Sequence, residues 1–286
     1  MRYLRLLFVA GYFCLAVLPL VWLVGTSFKE RADSISVRAK WLPSLGPVQA
    51  EGPAFQVNAE GYRQLNQVYT GAAHTFYHYL GNSILIGVLS TLASVVIGTC
   101  AAYGFSRFRI GGARDWLFFI LSTRFLPPLA VVVPVLMMYR EFDLQNSHLG
   151  LILLYTSFNL SLAVWLMKGF IDDIPRAYEE AALVDGYTRL QAFRLIIIPR
   201  AAPGMAVTAV FCLISAWNEY GFAMTLNNQE AVTVPVYFAG LQGNVQGLPW
   251  PQVTAGVLLF VVPIVVFTVL VRRHLLRGVT FGTVKQ

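Results

Sequence analysis

Hydrophobic residues in this chain gather into six long blocks, and most polar residues lie in the segments between them. The blocks run near 6–26, 83–105, 116–139, 149–167, 204–226 and 253–271. Each is long enough to cross the roughly 30 Å apolar core of a bilayer as a helix, which takes about 20 residues. The pattern predicts an all-α fold, a polytopic membrane protein of six transmembrane helices. The longest polar segment joins the first two blocks and carries the turn-forming run PSLGPVQAEGP. The chain therefore divides into 1–81, a first span with an extracytoplasmic loop, and 82–286, a core of five spans.

Composition agrees. Of the 286 residues 57% are hydrophobic and 12% charged, with a mean hydropathy of +0.62, which points to a membrane protein. The net charge of +7 follows from topology. With both termini cytoplasmic, 14 of the 21 Lys and Arg residues fall on that side and 6 on the other, with Arg124 inside a span. This charge faces the inner leaflet of the lipid bilayer and implies no nucleic acid. Arg2 and Arg5 imitate the start of a secretion signal, but the block after them is too long and no A-x-A site follows, so it is expected to stay as a span. Cys14, Cys100 and Cys212 lie in spans without C-x-x-C spacing and read as packing residues.

Some blocks contain residues that lipid alone would not tolerate. Pro127, Pro128 and Pro134 remove three backbone donors from the third span, which survives only where protein or a water-filled path satisfies the freed carbonyls. Arg124 in the same span is either a functional charge or a base snorkelling to the inner surface. Trp217, Asn218 and Glu219 sit in the outer half of the fifth span and join Arg124 as candidates to line a solute path; Glu219 could instead pair with a base or reach the outer interface. His74 and His78 are four apart, as metal ligands on one helix face would be. No Cys or second acid accompanies them, and Phe76, Tyr77 and Tyr79 favour an interfacial aromatic belt, so no metal site is expected.

Between the fourth and fifth blocks, residues 172–203 read DDIPRAYEEAALVDGYTRLQAFRLIIIPRAAP. Asp172 and Asp173 can cap a first short helix, and Pro175 fits its opening turn. Gly186 ends that helix. Thr188, with Gln191 three residues on, has the spacing of a capping box for a second, and the apolar run 193–198 leads to Pro199 and Pro203. The expectation is a knuckle of two short helices with a bend.

Glu180-Ala181-Ala182, followed by Gly186, Ile196, Ile198 and Pro199, resembles the EAA loop of binding-protein-dependent ABC importers, E-A-A-x3-G-x9-I-x-L-P, with Ile198 at the leucine position. The resemblance implies a type I importer permease fold. It implies that the knuckle is a cytoplasmic coupling helix docked in a cleft on an ATPase subunit, through Glu180, Ala181, Ala182, Asp185, Gly186 and Pro199. The partners implied are a second homologous permease subunit, an ABC ATPase dimer and an extracytoplasmic solute-binding protein, at the inner membrane of a bacterial-type cell.

The chain is further similar to maltose-type permeases, which implies a sugar or sugar derivative as solute. In that branch the loop placed like 240–252 reaches into the binding protein's cleft, which singles out Gln242, Gly243, Asn244 and Gln246. No G-x-x-x-x-G-K-[ST] loop is present, and no Gly is followed directly by Lys. ATP and Mg2+ are therefore expected on partner ATPase subunits, with no cofactor on this chain. Two alternatives remain open: an ABC permease for a non-sugar solute, and an ion-coupled secondary transporter. The latter would need a membrane-embedded carboxylate relay, for which Glu219 is the candidate.

Overall fold

A computed structural model describes residues 2–46, 52–68, 72–227, 229–242 and 247–280. The chain begins with helices α1 (Arg2–Ser27) and α2 (Arg31–Ser34), strands β1 (Leu42–Ser44) and β2 (Ala54–Gln56), and helix α3 (Glu60–Gln64). Helices α4 (Phe76–Arg107), α5 (Ala113–Ser122), α6 (Pro128–Glu141) and α7 (His148–Asp172) follow. Then come α8 (Ala177–Val184), α9 (Arg189–Ala192), α10 (Ile198–Trp217), α11 (Gly221–Leu226), α12 (Val234–Leu241) and α13 (Trp250–Thr280). Among the described residues, five helices are long and apolar enough to cross a membrane, and the bent pair Ala113–Phe125 and Ala130–Glu141 makes a sixth span.

Two compact units divide the chain: residues 1–80 with 236–263, and residues 81–235 with 264–286. In the first unit, β1 and β2 pair in parallel with Leu42 opposite Ala54. Beside them Lys29 is 1% exposed, its ammonium 3.6 Å from the centre of the Trp22 ring and 5.2 Å from that of Phe55. Trp22 in turn packs on Trp41 at 4.4 Å between centroids. This cage ties the segment after the first span to the end of α1, helped by a Ser27–Tyr62 hydroxyl bond of 3.0 Å. A side chain at Gly61 would meet the Pro251 carbonyl oxygen at 2.5 Å, so the missing Cβ is what lets α3 rest on the start of α13. The His74 and His78 rings lie 4.0 Å apart, with Tyr79 edge-on to both.

The second unit packs α4, α7 and α10 closely through small residues, which let helices approach in lipid. A Cβ at Gly98 on α4 would fall 2.6 Å from that of Ala163 on α7, and one at Gly204 on α10 would strike the Phe170 ring. The Ser94 hydroxyl donates to Thr156 O at 3.3 Å, adding a polar link between α4 and α7. Cys14, Cys100 and Cys212 are free thiols.

The third span breaks where proline sterics require it. The residue before a proline is pushed out of the helical region into extended conformation. Leu126 precedes Pro127, which itself precedes Pro128; both take extended backbone, with ψ of 123° and 126°. Pro128 then opens α6 at a position where its absent N–H costs nothing. The two halves are bent by more than 40°.

Three boundaries of the fourth and fifth spans differ from expectation. The helix of the fifth span starts at Ile198, so Pro199 lies in its first turn rather than at the end of the knuckle, and Phe193–Ile197 before it form a wider π turn. Its C-terminal end stops at Trp217, not 226; Asn218 closes α10 and α11 restarts at Gly221. The fourth span also runs on to Asp172, past the expected end at 167, with Lys168 and Asp172 paired one turn apart at its end.

Candidate functional site

The knuckle is anchored by one buried ion pair. Arg107, the last residue of α4, donates from Nε to Glu179 Oε2 on α8 at 3.0 Å, and the two side chains are 5% and 6% exposed. The remaining donors of the same guanidinium are used as well: one reaches the Ser106 hydroxyl at 3.0 Å, and the other the carbonyls of Ile171 and Ile174 at 3.1 and 2.8 Å. A planar fork of five donors is suited to such shared duty. Ile171 lies in the last turn of α7, where the negative end of the helix dipole favours a cation. Arg107 thus joins the ends of α4 and α7 to the knuckle. Tyr103, one turn earlier on α4, donates its hydroxyl to Glu179 Oε1.

An apolar cluster completes the anchor. Ala102, Tyr103, Met167, Ile171, Phe193 and Ile197 are packed together and buried, and the Tyr103 and Phe193 rings lie 4.4 Å apart. Every element entering the knuckle is therefore fixed on its inner side.

Asp172 and Asp173 do not cap α8, contrary to the sequence reading. Asp172 still belongs to α7, where it accepts from the Ser106 hydroxyl at 2.5 Å and pairs with Lys168, and Asp173 closes that helix. Arg176 precedes α8 without a side-chain cap. The second expected cap is present: the Thr188 hydroxyl accepts from Gln191 N at 3.3 Å, and Gln191 Oε1 accepts from Thr188 N at 2.8 Å. Gly186 supplies the bend with φ of +87°, a left-handed conformation that side-chain-bearing residues rarely adopt.

Helix phase sorts the motif residues. Glu179 and Ala182, three apart, face inward, with Ala182 3% exposed. Glu180, Ala181, Asp185, Gly186 and Pro199 are exposed. The apolar side chains Val184, Tyr187 and Leu190 stand out beside them. Sequence reasoning missed Glu179 and the role of Arg107. The available signal was the four-residue spacing of Tyr103 and Arg107, which puts both on one helix face.

Arg124 and Glu219 meet at a cavity of about 190 Å³, also lined by Leu126, Tyr155, Phe158 and Asn159. The break at Leu126 thus opens onto a cavity, where irregular backbone is tolerated at membrane depth. Glu219 restarts the helix after Trp217. Its carboxylate accepts from the backbone N–H of Phe222 at 2.9 Å and Ala223 at 3.1 Å, and from the Tyr155 hydroxyl at 2.7 Å. Asn159 donates to Cys212 O at 3.1 Å, while its own carbonyl oxygen is buried without a partner among the described residues. Trp217 is buried against Gly87, and Asn218 is exposed and donates back to Ile214 O, so neither lines this cavity. Of the loop residues, Gln242 is exposed; Gly243, Asn244 and Gln246 lie outside the described residues.

Comparison with known proteins fits this arrangement. Residues 94–280, which run from the middle of α4 to the end of α13 and include the knuckle, match the family described as binding-protein-dependent transport system inner membrane component. The trehalose transport system permease protein SugB of Mycobacterium tuberculosis is 34% identical over 279 residues, covering 97% of this chain and 94% of its own. The diacetylchitobiose uptake system permease protein DasC of Streptomyces coelicolor is 30% identical over 270 residues, covering 94% and 92%. A chain of a bacterial ABC transporter involved in importing the acidic polysaccharide alginate superposes with a TM-score of 0.73 over 95% of both chains, at 22% identity, and has the same fold. The chain is a member of the binding-protein-dependent transport system inner membrane component family.

Proposed function

We propose that this chain is one of two transmembrane subunits of an ABC importer that carries a carbohydrate or sugar derivative into the cytoplasm by alternating access. The observation that carries the proposal is the knuckle: exposed on its outer face and fixed on its inner face by Arg107 and Glu179 to the ends of two spans. A load applied to the exposed face reaches the bundle without passing through a flexible joint. Rigid-body rocking of helices about a midplane site is a general way to alternate access.

In this reading both termini are cytoplasmic and the membrane is the inner one of a bacterial-type cell. An ABC ATPase dimer binds ATP and Mg2+ and grips Glu180, Ala181, Asp185 and Gly186, with Pro199 at the rim and Ala182 shaping the helix from within. A second, homologous permease subunit completes the path. An extracytoplasmic binding protein delivers the sugar near Gln242, Gly243, Asn244 and Gln246. Relatives named for diacetylchitobiose, trehalose, trehalose/maltose and galactooligosaccharides support a sugar as the solute.

Ion-coupled transport is the weaker reading, because both Glu219 oxygens are engaged in capping α11 and in the bond to Tyr155. The test is reconstitution of the chain with its co-encoded permease, ATPase and binding protein in liposomes. ATP enclosed with the ATPase side, and binding protein on the other, should drive uptake of radiolabelled trehalose, maltose or diacetylchitobiose, and a proton gradient alone should drive none. Uptake on the gradient without ATP would overturn the reading.

A further inference from the structure

Lys29, in the first unit, is fully buried, yet its ammonium makes no hydrogen bond or ion pair among the described residues. Buried charges are ordinarily paired, because a charge taken out of water needs a partner to offset the lost hydration. Asp33, four residues on, is committed to Lys40 at 2.5 Å. The rings of Trp22 and Phe55 favour the cation but bring no formal negative charge.

Lys29 also lines a cavity of about 30 Å³, which is the share of one water molecule in the liquid. A second cation, Arg31, lines the same cavity, and so do Glu60, Gly61 and Gln64 of α3 and Pro251 at the start of α13. Two positive groups therefore face one carboxylate. That carboxylate is on an exposed residue and accepts from Gln64 Nε2 at 3.0 Å.

We infer that this cavity is an anion site that holds a single chloride ion beside Lys29 and Arg31. Charge selects an anion, because water would leave the excess positive charge of the lining uncompensated and a metal cation would add to it. Size selects a monatomic one. The backbone of Gly61 rests directly on the Pro251 carbonyl, so the cavity cannot widen for a carboxylate or phosphate group without lifting α3 off α13. The site is independent of the solute that the chain carries. Its consequence is mechanical: Arg31 Nη2 donates to Gly247 O at 3.0 Å, so a bound anion fastens the end of α1, helix α3 and the segment leading into α13 to one another.

The test uses the full chain purified in detergent at neutral pH, with thermal unfolding followed in sodium chloride, sodium bromide and sodium gluconate at equal ionic strength. Chloride and bromide should raise the unfolding midpoint by several degrees and saturate, while gluconate, too large for the cavity, should not. Lys29→Met should remove the halide dependence. Glu60→Gln, which takes away the opposing acid, should lower the halide concentration at half-saturation at least threefold; an ordered water in place of the anion predicts no such change. A readout apart from stability is available because the Trp22 ring lies 3.6 Å from the ammonium. Bromide should quench tryptophan emission with the same half-saturation, and Trp22→Phe should remove the saturable part. A midpoint that follows ionic strength alone would overturn the inference. So would a halide dependence that Lys29→Met and Glu60→Gln both leave unchanged.

Discussion

Arg107 Nε lies 3.0 Å from Glu179 Oε2, joining the last residue of a transmembrane helix to the first turn of the knuckle across 72 positions of sequence. Removing one member leaves a buried charge unpaired, which costs about 3–5 kcal/mol. Glu179→Leu should lower the thermal stability of the detergent-solubilised complex and raise the ATP hydrolysed per sugar transported. The reversal Arg107→Glu with Glu179→Arg should recover only part of the loss, since a carboxylate at 107 has no donors for the Ile171 and Ile174 carbonyls. Full recovery in the reversed pair would mean that the carbonyl bonds carry no load.

The bend at Gly186 has φ of +87°, and a Cβ attached there would have nothing within 4 Å, so a substitution meets conformational strain and no clash. A β-branched residue should cost roughly 1–2 kcal/mol, while asparagine tolerates the left-handed region. Gly186→Val should uncouple hydrolysis from uptake with insertion intact, and Gly186→Asn should stay close to wild type. Equal behaviour of the two variants would place the effect elsewhere.

The approach of α4 to α7 at Gly98 and Ala163 leaves no room for a methyl group. Gly98→Ala should destabilise the bundle by about 1–3 kcal/mol, the usual range for overpacking. Adding Ala163→Gly should restore part of this, because the Ala163 carbonyl carbon and Val164 N would still lie 3.1 and 3.2 Å from the added carbon. Melting curves of the two variants in detergent decide it; a doubly substituted protein no better than the single one would count against direct contact.

Lys29 gives the first unit a dependence on alkaline pH. Burial pushes its ammonium below the ordinary value of 10.5, Asp33 partly opposes this and Lys40 adds to it. Between the lowered value and 10.5 the unfolded chain holds a proton that the folded chain has released, so stability there rises with pH; below that window the charged form is buried at a constant cost. The nearby Trp22 face offsets some of this by favouring the cation. Tryptophan fluorescence across the alkaline range should show the rise, and Lys29→Met should abolish it. The same slope in both proteins would assign it to another group.

Much of the fold was legible because lipid imposes it. Block length gave the spans, and two successive prolines after Leu126 gave the break. Gly186 and the Thr188–Gln191 pair were readable because left-handed turns and capping boxes need particular residues. Glu179 was not, because it adjoins Glu180 and only helix phase separates a buried acid from an exposed one. That phase depends on α8 starting at Ala177, which follows from α7 running on to Asp172. The misreading of Asp172 and Asp173 as caps has the same root. Glu219 could be placed near a membrane surface from sequence, but its partner Tyr155 lies 64 positions away and becomes a neighbour only through packing.

The π turn at Phe193–Ile197 sets one more limit on this chain. Its extra residue shifts the angular position of everything after it by about 100° relative to an uninterrupted helix. Deleting one residue there would give a more regular backbone and swing Ile197 and Ala201 away from the pocket that Tyr103 and Met167 form for them. The count from Gly186 to Pro199 is therefore dictated by rotation as well as reach, and a shorter linker would span the gap while delivering the wrong side chains.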